Sequence, residues 1–76
     1  MKGILLSSDN WQGLFVEGKL INEDHNLDDP DFWVSVTNEY KLTGLTHHYV
    51  TEEDDDKLQE YGTFPELLSE LKGEYK

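Results

Sequence analysis

The sequence contains no cysteine and no arginine, has only two prolines, and never runs to more than three apolar residues in a row. Each absence closes a class. Without cysteine there is no disulfide scaffold and no thiolate zinc site, the usual reinforcements of a small domain. Arginine is the planar fork that grips phosphates and guanine edges. Its absence, in an acidic chain, argues against direct binding to DNA or RNA and against docking on an anionic membrane. The longest apolar runs, such as Ile4-Leu5-Leu6, fall far short of the ~20 residues of a transmembrane helix. The opening Met1-Lys2-Gly3 has no long apolar stretch of the signal-peptide kind, so a cytoplasmic location is expected.

Positive charge is also scarce. All six basic residues are lysines, against 17 acidic side chains, for a net charge of −11. Two readings follow: a solubilising surface, or a surface attracted to a basic partner.

At 76 residues the chain has room for one domain with a modest core. Charged residues at 30% favour disorder, but hydrophobic residues at 36% and aromatics at 12% fall in periodic patterns, which implies a fold. Gly3 to Ser7 reads as a strand, followed by turn formers Ser8-Asp9-Asn10. Leu14-Phe15-Val16 and Lys19-Leu20-Ile21 flank Glu17-Gly18, the signature of a β-hairpin with a two-residue turn. Asp29 and Pro30 open a helix as cap and first residue. Phe32, Trp33, Val36 and Tyr40 form its apolar side, facing the hairpin, and Gly44 is its expected stop.

Leu45 to Thr51 predicts a strand with Thr46, His48 and Val50 on one face and Leu45, His47 and Tyr49 on the other. The acidic run Glu52 to Asp56 leads into a short helix ended by Gly62. Thr63 and Glu66 suggest a capping box for a last helix with Leu67, Leu68 and Leu71 as its stripe. The expected fold is α+β: a small antiparallel sheet, a β-hairpin plus one or two strands, packed on one face against two or three short helices. Residues 1–72 form the single domain and 73–76 a frayed end.

The stretch Asp9 to Leu27, DNWQGLFVEGKLINEDHNL, resembles the opening of small bacterial and phage proteins with a D-W-x-G-L-aromatic-aliphatic-x-G-K-L pattern. The later GTFPELL, Gly62 to Leu68, is similar to their closing segment. Asp24 stands before His25 where that pattern has Gly. The resemblance implies a microbial or phage origin and carries no activity and no site residues.

No residue pattern predicts catalysis. Ser7, Ser8, Ser35 and Ser69 lack a nucleophile-elbow context, no glycine-rich loop is built to cradle phosphate, and no carboxylate pair has an acid–base frame. His47 and His48 are adjacent and face opposite ways on a strand, so a zinc ion shared with His25 needs a long-range meeting. Five consecutive acids do not alternate as calcium ligands do. No metal and no cofactor is expected.

The leading expectation is therefore a non-enzymatic inhibitor or adaptor. Its acidic face, Glu52, Glu53, Asp54, Asp55 and Asp56 with Asp28, Asp29 and Asp31, would engage a basic protein, nucleic-acid-binding proteins among them. Trp11 would be an aromatic anchor. The alternative is an oligomeric protein that sequesters a nucleotide-like ligand between subunits on Trp11, Tyr49 and His48.

Overall fold

The hydrophobic pattern of the first strand decides the architecture. Ile4, Leu5 and Leu6 are consecutive, so a strand made of them has apolar side chains on both faces and must be covered twice. In the computed structural model, which describes residues 1–75, that strand, β1 (Lys2–Ser7), lies inside a four-stranded sheet. β2 (Gln12–Val16) and β3 (Lys19–Asp24) follow, then α1 (Pro30–Tyr40), β4 (Gly44–Tyr49) and α2 (Glu52–Tyr61). The order across the sheet is β3-β2-β1-β4. β1–β2 and β2–β3 are antiparallel, while β1–β4 is parallel, because α1 carries the chain back across before β4. The α+β class is as expected; the sheet is mostly rather than wholly antiparallel.

The predicted hairpin is present between β2 and β3. Glu17 and Gly18 both have positive φ, 52° and 81°, the backbone of a turn whose twist matches the flanking strands. The predicted α1 cap is present too. Asp29 Oδ1 accepts a hydrogen bond from the Asp31 N–H, and Pro30 opens the helix. The helix stops earlier than expected. Lys41, not Gly44, takes the left-handed C-cap (φ 53°), and Gly44 begins β4.

Helices cover both faces, which corrects the one-face expectation. On the first face Leu5, Leu14, Val16, Leu27 and Val36 are buried together, with Ile21, Phe32, Trp33 and Tyr40 of β3 and α1 packed around them. On the second, Ile4, Leu6, Phe15, Leu58, Phe64, Leu71 and Tyr75 form a separate cluster under α2 and the segment beyond it. Phe64 meets Phe15 edge to face at 5.8 Å, and its ring lies so close to Gly13 that a Cβ there would sit 2.5 Å from a ring carbon.

No last helix forms on Thr63 and Glu66. The Thr63 hydroxyl donates to the Phe64 carbonyl instead. Residues 64–67 then run along the outer edge of β3, where Leu20 N–H donates to Glu66 O and Leu68 N–H to Gly18 O, before a short 3₁₀ turn at Leu68–Glu70. Backbone pairing with an open edge displaces the helix that local propensity favours. The expected frayed end is also corrected over Gly73 to Tyr75: Tyr75 is only 7% exposed and packs in the second core cluster. Lys76 lies outside the described residues.

Candidate functional site

The register gathers carboxylates at one end of the sheet. Ser7 of β1 lies beside Gln12 of β2 and Tyr49 of β4, and Gln12 beside Asp24 of β3. Three connections leave this end: the Ser8–Trp11 loop, the 25–29 segment into α1, and Val50-Thr51 into α2. They carry Asp9, Asp28, Asp29, Glu52, Glu53 and Asp56, all exposed, and Asp31 in the first turn of α1. The two acidic groups predicted from sequence thus share one end of the fold, on helices over opposite faces. The opposite end holds Lys2, Lys19 and Lys41, with Glu17 in its turn. Carboxylates at helix N-termini meet the positive end of the backbone dipole, so the first turn of α2 accommodates acids that repel one another.

Two shallow concavities open here. One, about 460 Å³, lies between Ser8–Trp11 and Asp55, Leu58, Gln59 and Gly62. The other, about 270 Å³, adjoins it through Ser8, Asp9 and Asp55 and reaches Tyr49 and Glu52. Asp55 is half-buried between them and accepts from Gln59 Nε2 at 3.0 Å.

Asp54 does not belong to this surface. Expected on the acidic face, it is 1% exposed. Its Oδ1 accepts from the Lys72 N–H at 2.9 Å, and its Oδ2 from the Gly73 N–H at 2.8 Å and the Tyr75 hydroxyl at 2.6 Å. Helical period explains the exception: position 54 turns inward with Leu58 while its neighbours turn out. The Tyr75 hydroxyl also accepts from the Thr51 N–H at 2.9 Å, so a phenol bridges the α2 cap residue and the aspartate three positions on. Burial alone would raise the Asp54 pKa, but the bonds from Tyr75, Lys72, Gly73 and Thr51 outweigh it and hold the carboxyl below its usual 3.8. Burial, with the bond donated to Asp54, pushes the Tyr75 phenol above its usual 10.0. Sequence reading missed this network, although Thr51-x-x-Asp54 has the spacing of a helix-start motif.

Trp11 is half-buried. Its Nε1 donates to Glu23 Oε1 at 2.8 Å, its ring stands edge-on to His25 at 4.8 Å, and the same Glu23 oxygen accepts from the Phe64 N–H. Its ring edge borders the larger concavity, but its polar handle is spent inside the fold. Tyr49 is 77% exposed on the α1 side of β4, while His48 faces the other side against the Tyr75 ring. Trp11, Tyr49 and His48 therefore do not converge on one ligand within a chain.

The nearest approach to a nucleophile–base pair is Ser7 Oγ, 2.7 Å from His47 Nε2. The serine is 3% exposed and its oxygen already accepts from Gln12 Nε2, whose Oε1 takes the Leu27 N–H. The chain of bonds ties β4, β1, β2 and the segment before α1 together and leaves no approach to the hydroxyl. Among the described residues no group of three or more His, Asp or Glu side chains is placed to hold a metal ion, and no helix is long and apolar enough to cross a membrane. Comparison with protein families, with curated proteins and with solved structures found no match to any of them.

Proposed function

We propose that the protein is a non-enzymatic binding module, an inhibitor or adaptor of the phage or mobile-element type with an anti-defence role. Its acidic end occupies a basic surface on a protein partner, nucleic-acid-binding proteins among them. The observation that supports this most is the separation of charge along the strands. Asp9, Asp28, Asp29, Asp31, Glu52, Glu53 and Asp56 stand at one end, with Lys72 3.8 Å from Glu53, while at the other Lys2, Lys19 and Lys41 are matched by Glu17, Glu39 and Glu66, so the net negative charge lies at the first end. A charge that served solubility alone would gain nothing from being polarised. A polarised one orients the molecule in the field of a basic surface before contact, which speeds capture.

Position rather than total charge is the testable point. One variant carries Asp9→Asn, Glu52→Gln, Glu53→Gln and Asp56→Asn. Its control carries Glu17→Gln, Glu39→Gln, Glu66→Gln and Glu70→Gln, with the same net charge but acids removed elsewhere. With the partner captured from lysate by the wild-type protein, the first variant is expected to associate more slowly and with a weaker salt dependence, the control to behave as wild type. Equal slowing by both would mean that net charge alone acts, and the proposal would fail.

A further inference from the structure

The two edges of the sheet are finished differently. β3 carries Lys19, Glu23 and Asp24, has an irregular register against β2, and is paired along its start by residues 66–68. These are the devices that keep an edge from pairing with another chain. β4 has none of them. Gly44-Leu45-Thr46-His47-His48-Tyr49 contains no lysine, no carboxylate and no proline, in a chain of net charge −11. Among the described residues no strand lies on its outer side. It also exposes two large apolar side chains, Leu45 at 47% and Tyr49 at 77%.

We propose that β4 pairs with β4 of a second copy, antiparallel about a two-fold axis at His47, to make a continuous eight-stranded sheet. The backbone bonding fixes which residues face outward, and the exposed side chains then suit a second copy of β4 in one register. The Val50 N–H bonds to Ser7 O, so residues 46 and 48 turn their backbone groups toward β1 and Leu45, His47 and Tyr49 turn theirs outward. An antiparallel pairing centred on His47 sets these outward residues opposite one another, Leu45 against the second copy's Tyr49 and His47 against its twin. Each pair then exchanges two backbone hydrogen bonds. The same register lays each exposed Leu45 on an exposed Tyr49 ring, on one face of the joined sheet, where side chains directly opposite interact.

Charge supplies the direction. Beyond Tyr49 stand Glu52 and Glu53, the latter 3.8 Å from Lys72; before Gly44 stand Glu39 and Lys41, with Lys2 opposite Gly44 on β1. Antiparallel pairing sets the acidic end of one copy beside the lysine-bearing end of the other. Parallel pairing would set acid beside acid. A basic partner segment would find no carboxylate on this strand, and a neutral one with matching side chains is β4 itself. The pairing does not rest on the acidic-end proposal.

Sedimentation equilibrium from about 10 µM to about 1 mM tests it, over the range where a small strand-mediated interface is populated. The wild-type mass is expected to rise from that of one chain toward that of two. As it does, the amide hydrogens of Leu45, His47 and Tyr49 should become protected from exchange. L45K/Y49K places lysine opposite lysine and should raise the dissociation constant at least tenfold. L45K/Y49E restores an opposite-charge pair only in the proposed register and should recover most of the lost affinity. Both substitutions are at exposed positions, and circular dichroism checks that each variant is folded. A wild type that stays monomeric at ~1 mM overturns the proposal, as does dimerisation unaffected by L45K/Y49K. Failure of L45K/Y49E to recover affinity overturns the register.

Discussion

Over one face of the sheet α1 lies as a capped amphipathic helix whose apolar residues Phe32, Trp33, Val36 and Tyr40 meet Leu5, Leu14 and Val16. Over the other, α2 has Leu58 as its one buried apolar residue, and the covering is completed by Phe64, Leu71 and Tyr75 from an irregular segment. The first face is held by side-chain packing that a helical stripe supplies. The second is packed as well, and is tied in addition by a buried carboxylate that collects the chain's last described residues. A short, very acidic helix has too little apolar surface to dock by itself, and Asp54 anchors it by hydrogen bonds that a leucine at that position would not make. Packing spreads stability over many contacts, whereas a hydrogen-bonded charge concentrates it in one residue.

Asp54→Ala should therefore be the most damaging single change. It leaves the Lys72 and Gly73 N–H groups and the Tyr75 hydroxyl without their acceptor in a buried place, and should cost about 3 kcal/mol or more in urea unfolding. In a domain of this size that removes most of the margin. A loss under ~1 kcal/mol would show that the second face closes by packing like the first.

Gly13→Val should be next, at about 1–3 kcal/mol, because any Cβ at this position runs into the Phe64 ring. Pairing it with Phe64→Leu should return part of the loss. No recovery would place the strain elsewhere.

Acid should act on the second face through Asp54. The Asp54 carboxyl titrates lower folded than unfolded, so its contribution is complete above the ordinary carboxylate value of 3.8 and is lost as pH falls through the lower folded value. Tyr75 contributes with the opposite dependence: full below 10.0 and declining as pH rises beyond it, because the unfolded phenol ionises first. Asp54→Asn should flatten the acid limb of stability against pH relative to wild type. An unchanged limb would mean that other carboxylates set it.

On the first face Asp29→Ala should cost about 1 kcal/mol through loss of the α1 cap, measured by thermal unfolding. The smallest effect is expected at the exposed pair Lys72–Glu53, 3.8 Å apart, where Lys72→Met should change stability by less than ~1 kcal/mol and lose even that in high salt.

The difference between the faces also explains what was legible in the sequence. The hairpin, the α1 cap, the α1 stripe and the β4 alternation are local patterns, written within a few residues of one another, and each is present, although β4 spans Gly44–Tyr49 rather than Leu45 to Thr51 because Thr51 caps α2. The second face rests on meetings across the chain: Asp54 with Tyr75, Gly13 with Phe64, Glu23 with Trp11 and Phe64. No periodicity encodes these. Asp54 was hidden by its neighbours, since a run of five acids reads as one solvated patch until helical phase separates the inward one. The one-face reading failed at Ile4-Leu5-Leu6, whose unbroken hydrophobicity marks a strand covered on both sides. Of the acidic residues predicted to bind, the topology gathers all but Asp54 at one end of the sheet, which their separation in sequence did not reveal.

The Asp54–Tyr75 bond also makes one face of the sheet depend on the tail of the described chain. The donors to the buried Asp54 carboxylate stand at Lys72, Gly73 and Tyr75. A cut after Leu71 would remove all three together and lift the Tyr75 ring from the cluster that holds Ile4, Leu6 and Phe15. A nick in this short tail would thus be felt across the whole of that face rather than at its rim.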